Sequence, residues 1–339
     1  MSTRHIFWNA EERMRAGWRI AAQVIGWFVL LLVGQLLVSS LFSSITDGLS
    51  TAGPITRQIA AFVLQLMMPV AVFVTVWLAG RHLDRRPFAD FGLHFNDKWW
   101  GDLGFGLFLG ALLMTLIFLV ERALGWVDVT GYFVARQGGL PFFPGLILPL
   151  ITYIGVGISE ELWNRGYILT NLAEGFQGKR FGPTAAIGLA TVLQGIFFAL
   201  LHANNPHADW VSTLGIALIS LLFGLSYILT GELALPIGLH ITWNFFQGNV
   251  FGFPVSGTGF SVGTFIATEQ SGRALWTGGP FGPEAGLMGV AALIVGSLLI
   301  LLWVRLYHDG VTLNQAIAET PAPTTRQSES GFPHPEIEH

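Results

Sequence analysis

Cysteine is absent from the chain, which excludes disulfides, thiolate zinc sites and prenyl or palmitoyl attachment to this polypeptide. Charge is nearly as scarce. Only 11% of the 339 residues are Asp, Glu, Lys or Arg, whereas 52% are hydrophobic and the mean hydropathy is +0.58. Soluble domains carry about 25% charged residues, so a water-soluble globular fold is excluded and an integral membrane protein is expected. The formal net charge of −4 identifies no partner; no nucleic acid is expected, and the lipid bilayer is the natural surrounding of such a chain.

Long polar stretches are also few, and hydrophobic runs take their place. A bilayer core of about 30 Å needs about 20 helical residues. Eight runs approach or exceed that length: Ile20 to Phe42, Thr56 to Gly80, Gly101 to Leu124, Pro144 to Thr170, Pro183 to Leu201, Trp210 to Leu229, Leu233 to Phe251 and Glu284 to Leu306. Strands of a β-barrel would alternate over about ten residues, whereas these runs are continuous, so an all-α polytopic bundle of about eight spans is expected. With eight spans both termini share one side. Twelve Lys and Arg fall there (Arg4, Arg13, Arg15, Arg19, Arg81, Arg85, Arg86, Lys98, Lys179, Arg180, Arg305, Arg326), against four opposite (Arg57, Arg122, Arg136, Arg273). That bias predicts cytoplasmic termini. The first run follows basic residues as a signal peptide would, but its length and the lack of a small-x-small cleavage site make it a retained helix.

The organisation that follows is a cytoplasmic segment over 1–19, a transmembrane bundle over 20–308 and a tail over 309–339. The tail's Pro-, Thr- and Glu-rich composition cannot bury a core, so disorder is expected there. Lys98, Trp99 and Trp100 read as interfacial anchors, Gly106 and Gly110 as a small-xxx-small helix contact, and residues 252–283 as a long external loop.

Within the spans, charge is concentrated at one place: Glu160, Glu161 and Arg165. A charge at mid-bilayer costs roughly 2.5–3.5 kcal/mol even on the gentler insertion scale, so these three must face protein or water. On a helix Glu161 and Arg165 are four apart and can pair, while Glu160 is turned away by about 100° and is free to act as a general base. Two histidines lie in the spans, each with a partner four residues away: Phe198 before His202, and Asn244 after His240. His240 and Asn244 share a face and offer side chains for an oxyanion site, whereas Phe198 alone reads as packing.

Two chemistries fit this set. In one, Glu160 and His202 activate a water and no cofactor is needed; in the other, Glu160, His202 and His240 ligate a divalent metal such as zinc. A non-catalytic scaffold or an ion-binding, transporter-like protein is the reading from a different class, favoured if the two histidines lie apart. A straight-helix drawing places Glu160 and His240 about 10–15 Å from the cytoplasmic end and His202 about 25 Å or more from it. For them to meet, the fifth helix must tilt, break or start later.

At these residues the sequence resembles the CPBP family of intramembrane proteases, also called the Abi family, which includes type 2 CAAX prenyl endopeptidases and bacteriocin-processing or self-immunity proteins. Glu160-Glu161-Leu-Trp-Asn-Arg165 matches EExxxR, Phe198-Ala-Leu-Leu-His202 matches FxxxH and His240-Ile-Thr-Trp-Asn244 matches HxxxN. The resemblance spans about residues 80–306, with the protease core at about 140–255. It implies an endopeptidase acting on a membrane-associated or lipidated protein or peptide, in a cell membrane of bacterial type. Carried over by position, Glu160 is the catalytic glutamate working with His202, His240 and Asn244 form the oxyanion site, and Glu161, Arg165 and Phe198 support them. The resemblance implies a glutamate protease in preference to a metal-dependent one.

Overall fold

A computed structural model describes residues 4–9, 12–46, 52–135, 138–258, 262–308 and 310–321. Among the described residues eight helices form the bundle: α1 (Ala16–Thr46), α2 (Pro54–Ala79), α3 (Asp97–Ala123), α4 (Phe142–Glu161), α5 (Pro183–His202), α6 (Trp210–Thr230), α7 (Ala234–Phe245) and α8 (Leu287–Tyr307). Three of them continue as wider π-helical turns, α2 over Gly80–Asp84, α4 over Leu162–Leu169 and α7 over Phe246–Val250, and the α4 segment then returns to α-helix over Thr170–Phe176. Their starts follow from the sequence. Pro54 and Pro183 occupy first turns where no amide hydrogen is needed, Asn96 caps α3, and Asp209 with Ser212 forms a reciprocal capping box at α6.

Among the described residues, seven helices are long and apolar enough to cross a membrane. The eighth, α7 with its π turn, is shorter, at 12 and 5 residues, and it is the best covered of all, with His240, Asn244 and Trp243 among its buried side chains. It runs alongside α3 in the same sense. Gly106 and Gly110 of α3 lie against the backbone of Leu235 and Leu239, and Phe118 stacks on Phe251 at the far end, with ring centroids 4.4 Å apart. The small-xxx-small pair therefore makes the close contact its spacing suggests.

Four expectations are corrected. The last span begins at Leu287; Glu284 lies in a preceding 3-10 turn and is buried. The stretch 252–283 is not wholly loop, because Gly263–Gln270 (β2) pairs antiparallel with Val127–Ala135 (β1), as its β-branched and aromatic residues favour. Trp99 is no surface anchor. Its ring is buried and its indole N–H donates to the Gly92 carbonyl, leaving Trp100 exposed. Finally, residues 310–321 dock on the bundle: Asn314 N–H donates to the Ile228 carbonyl, Ile317 and Ala318 are buried, and Arg86 donates to the Glu319 carbonyl. Two buried apolar side chains and these hydrogen bonds together seat this piece. The rest of the expected disordered tail, residues 322–339, together with Arg136, lies outside the described residues.

At the end carrying the N-terminal segment, Glu174 receives Arg13, Arg19 and Arg86, and Arg19 also pairs with Asp84 at 2.9 Å. This buried knot joins the N-terminal segment, α1, the π turn after α2 and the end of the α4 segment.

Candidate active site

Where Gly157 of α4 meets α7, an added Cβ would stand 2.8 Å from Ile241 Cγ1. The absent side chain lets the two helices close up, and one turn later Glu161 reaches across the gap. Its Oε1 accepts from Arg165 Nη1 at 3.1 Å and from His240 Nδ1 at 2.8 Å. The expected Glu161–Arg165 pair forms, but Glu161 also fixes His240, which spacing on one helix does not reveal. A carboxylate accepts only, so His240 holds its proton on Nδ1 and turns Nε2 toward Glu160, whose Oε2 is 4.0 Å away. The Glu160 side chain keeps 14% of its surface accessible and Glu161 none, so Glu160 is the carboxylate that water can reach. Asn244 lies one turn beyond His240 and is buried.

Arg165 belongs to the π-helical turn, a wider winding that often marks functional sites. Its guanidinium also donates from Nη2 to the hydroxyl and the carbonyl of Ser220 on α6, at 2.6 and 3.1 Å. Gln194 of α5 donates to the same hydroxyl at 3.3 Å. The central carbon of the guanidinium lies over the rings of Phe198 and Phe223, 4.8 and 5.3 Å from their centroids, so the cation is held by a carboxylate and two aromatic faces. Phe223 also lies against the His240 ring, 5.0 Å between centroids.

His202 is the last residue of α5. Its Nδ1 lies 2.9 Å from the Phe198 carbonyl, which can only accept, so Nδ1 carries the proton and Nε2 keeps a lone pair. Its ring packs on Phe198, 4.6 Å between centroids. Phe198 is therefore more than packing, since it lies between Arg165 and His202. Among the described residues no hydrogen bond or ion pair joins His202 to Glu160, His240 or Asn244. The helix neither breaks nor starts late, and His202 connects to the other motif residues through the Phe198 ring. Nor do the described residues contain a group of three or more His, Asp or Glu arranged to hold a metal ion, so the conditional ligand set Glu160, His202 and His240 does not assemble as one.

This geometry lies within residues 142–246, which match the family model "Type II CAAX prenyl endopeptidase Rce1-like". The segment is Rce1-like. No curated protein matches the chain. The Rce1-like assignment supports an intramembrane endopeptidase, a protease hydrolase whose substrate is a protein or peptide at the membrane. Within the Rce1-like segment, sequence reasoning passed over Ser220, Gln194 and Phe223. Ser220 and Gln194 carried one available signal, a polar side chain inside an apolar span; Phe223 carried none.

Proposed function

We propose that the chain is an intramembrane endopeptidase of the glutamate type, hydrolysing a peptide bond of a membrane-associated or lipidated protein. The observation that carries this reading is the pair of carboxylates with one imidazole between them. Glu161 is enclosed and anchors His240, while Glu160 stays accessible beside His240 Nε2.

In the reaction, Glu160 takes a proton from water as the oxygen attacks the scissile carbonyl carbon, and His202 Nε2 holds that water by its lone pair. The negative oxygen that forms is met by the Asn244 amide and by His240, which donates from Nε2 after taking a proton there from the solvent, with Glu161 as its counter-charge. Glu160 then returns the proton to the leaving amine as the C–N bond breaks. Contacts of this kind are looser without substrate than in the transition state, which accommodates the separation of His202 from Glu160. We further propose cytoplasmic termini, on the distribution of Lys and Arg, and a cell membrane of bacterial type, on the family resemblance of the motifs.

Comparing membrane-protein cleavage products in cells expressing wild type and Glu160→Gln tests the reading. Termini present only with wild type are expected, with the variant accumulating to the same level. Identical termini would sink the protease assignment. Purified activity is expected to survive strong chelators, and its loss together with recovery on adding zinc would replace the glutamate mechanism.

A further inference from the structure

Beyond the Rce1-like segment, one buried carboxyl has no place in the chemistry above. Glu284 is 4% exposed, in the turn before α8. Its Oε2 accepts from Gln247 Nε2 at 2.6 Å, and its Oε1 accepts from the backbone N–H and the hydroxyl of Ser256, each at 3.2 Å. Burial pushes this carboxyl up to about 7, with no cation among the groups that act on it. A polar group held at that cost is tied to what it holds.

Its partners lead in two directions. Gln247 follows His240 and Asn244 on the same helical segment, three residues beyond Asn244. Ser256 leads toward His202: its carbonyl accepts from Asn205 Nδ2 at 2.9 Å, and Asn205 N–H in turn donates to the His202 carbonyl at 3.0 Å. The same loop is pressed on the turn after α5, since Gly257, at φ +79°, brings its backbone against the Pro206 carbonyl and leaves no space for a side chain. Glu284 is thus one of the points where the helix bearing His240 and Asn244 and the turn that follows His202 are fastened to each other, beside the bonds that Gln247 itself makes to the Pro254 carbonyl and the Phe253 N–H.

We infer that Glu284 is a positioning residue, which sets His202 against His240 and Asn244 through Ser256 and Asn205 on one side and Gln247 on the other. The inference rests on the proposed roles of those three residues, and it goes beyond them in assigning their alignment to a residue outside the catalytic set.

Three variants test it in full-length protein in detergent: Glu284→Ala, which removes both links, Glu284→Gln, which keeps an acceptor for Ser256, and Asn205→Ala, which cuts the path at a half-buried position with no core to disturb. Two readouts are taken at one pH. Hydrogen exchange of peptides covering 200–210 is expected to rise about tenfold in Glu284→Ala and Asn205→Ala, and less in Glu284→Gln. Cleavage of an internally quenched, farnesylated CAAX-type peptide is expected to lose about tenfold or more in kcat with KM within about twofold, the Gln variant recovering part of the loss. The Glu284→Ala, Asn205→Ala double variant should be no slower than the slower single one, because both cut one path. Unchanged exchange at 200–210 overturns the link, and raised exchange with unaltered kcat overturns the positioning role. Should wild type cleave no faster than Glu160→Gln, the protease reading fails for this peptide, and the link is judged on exchange alone.

Discussion

At the scale of single residues, the decisive feature is that two adjacent carboxylates have different surroundings. Glu161 is enclosed and holds both Arg165 and His240, whereas among the described residues the Glu160 carboxylate accepts no hydrogen bond and only its backbone carbonyl does, from Asn164. Removing one member of a buried pair strands the other, at a cost of about 3–5 kcal/mol. Glu161→Gln and Arg165→Ala are therefore expected to lower the unfolding midpoint in detergent markedly, while Glu160→Gln leaves it almost unmoved. Equal stability losses for Glu160→Gln and Glu161→Gln would contradict the division of roles. The sequence makes half of this readable. Four-residue spacing announces the Glu161–Arg165 pair, but which carboxylate meets His240 depends on how α4 is turned against α7. That rotation is set by contacts on another helix, and by a π turn that no periodicity announces.

At the scale of elements, the approach of α4 to α7 depends on Gly157, and that of α3 to α7 on Gly106 and Gly110. Gly157→Ala would press a methyl group onto Ile241 and is expected to destabilise the protein by about 1–3 kcal/mol. It should also slow cleavage, by stretching the bond from Glu161 to His240. Gly188→Ala in α5 is the control, because nothing lies within 4 Å of the added carbon. There the change should be neutral or stabilising by up to about 1 kcal/mol, from helix propensity alone. Thermal unfolding and turnover of the two variants check both expectations, and equal effects would remove the packing argument. The apolar runs made these helices legible, since the bilayer demands continuous apolar length. The ribbon was not legible: β1 and β2 lie far apart in sequence, as Val127 and Gln270 do, so the β-rich composition of either strand does not name its partner.

For the whole molecule, the proton on Glu284 couples the fold to pH. Its carboxyl is pushed from 4.5 to about 7 because desolvation outweighs the bonds from Gln247 and Ser256. Between those values the folded chain keeps a proton that the unfolded chain has released, so this group's contribution to stability falls as the pH rises, by about 3 kcal/mol across the window. The unfolding midpoint of wild type relative to Glu284→Gln is expected to drop from pH 5 to pH 8. A constant difference would show that the carboxyl does not titrate there. The bundle itself was legible in the sequence, and the docking of residues 310–321 was not, because Ile317 and Ala318 are too few to mark an element by composition.

The segment Phe142–Phe176 is continuous over 35 residues, about 50 Å of helix against a hydrocarbon core of about 30 Å. Some 20 Å of it must tilt or stand clear of the lipid. The end that carries Glu174 is clamped by Arg13, Arg19 and Arg86, and those arginines fix where the helix stops sliding. Glu160 stands on the same continuous segment as Glu174, so under the proposed function this clamp sets the depth at which Glu160 meets a scissile bond.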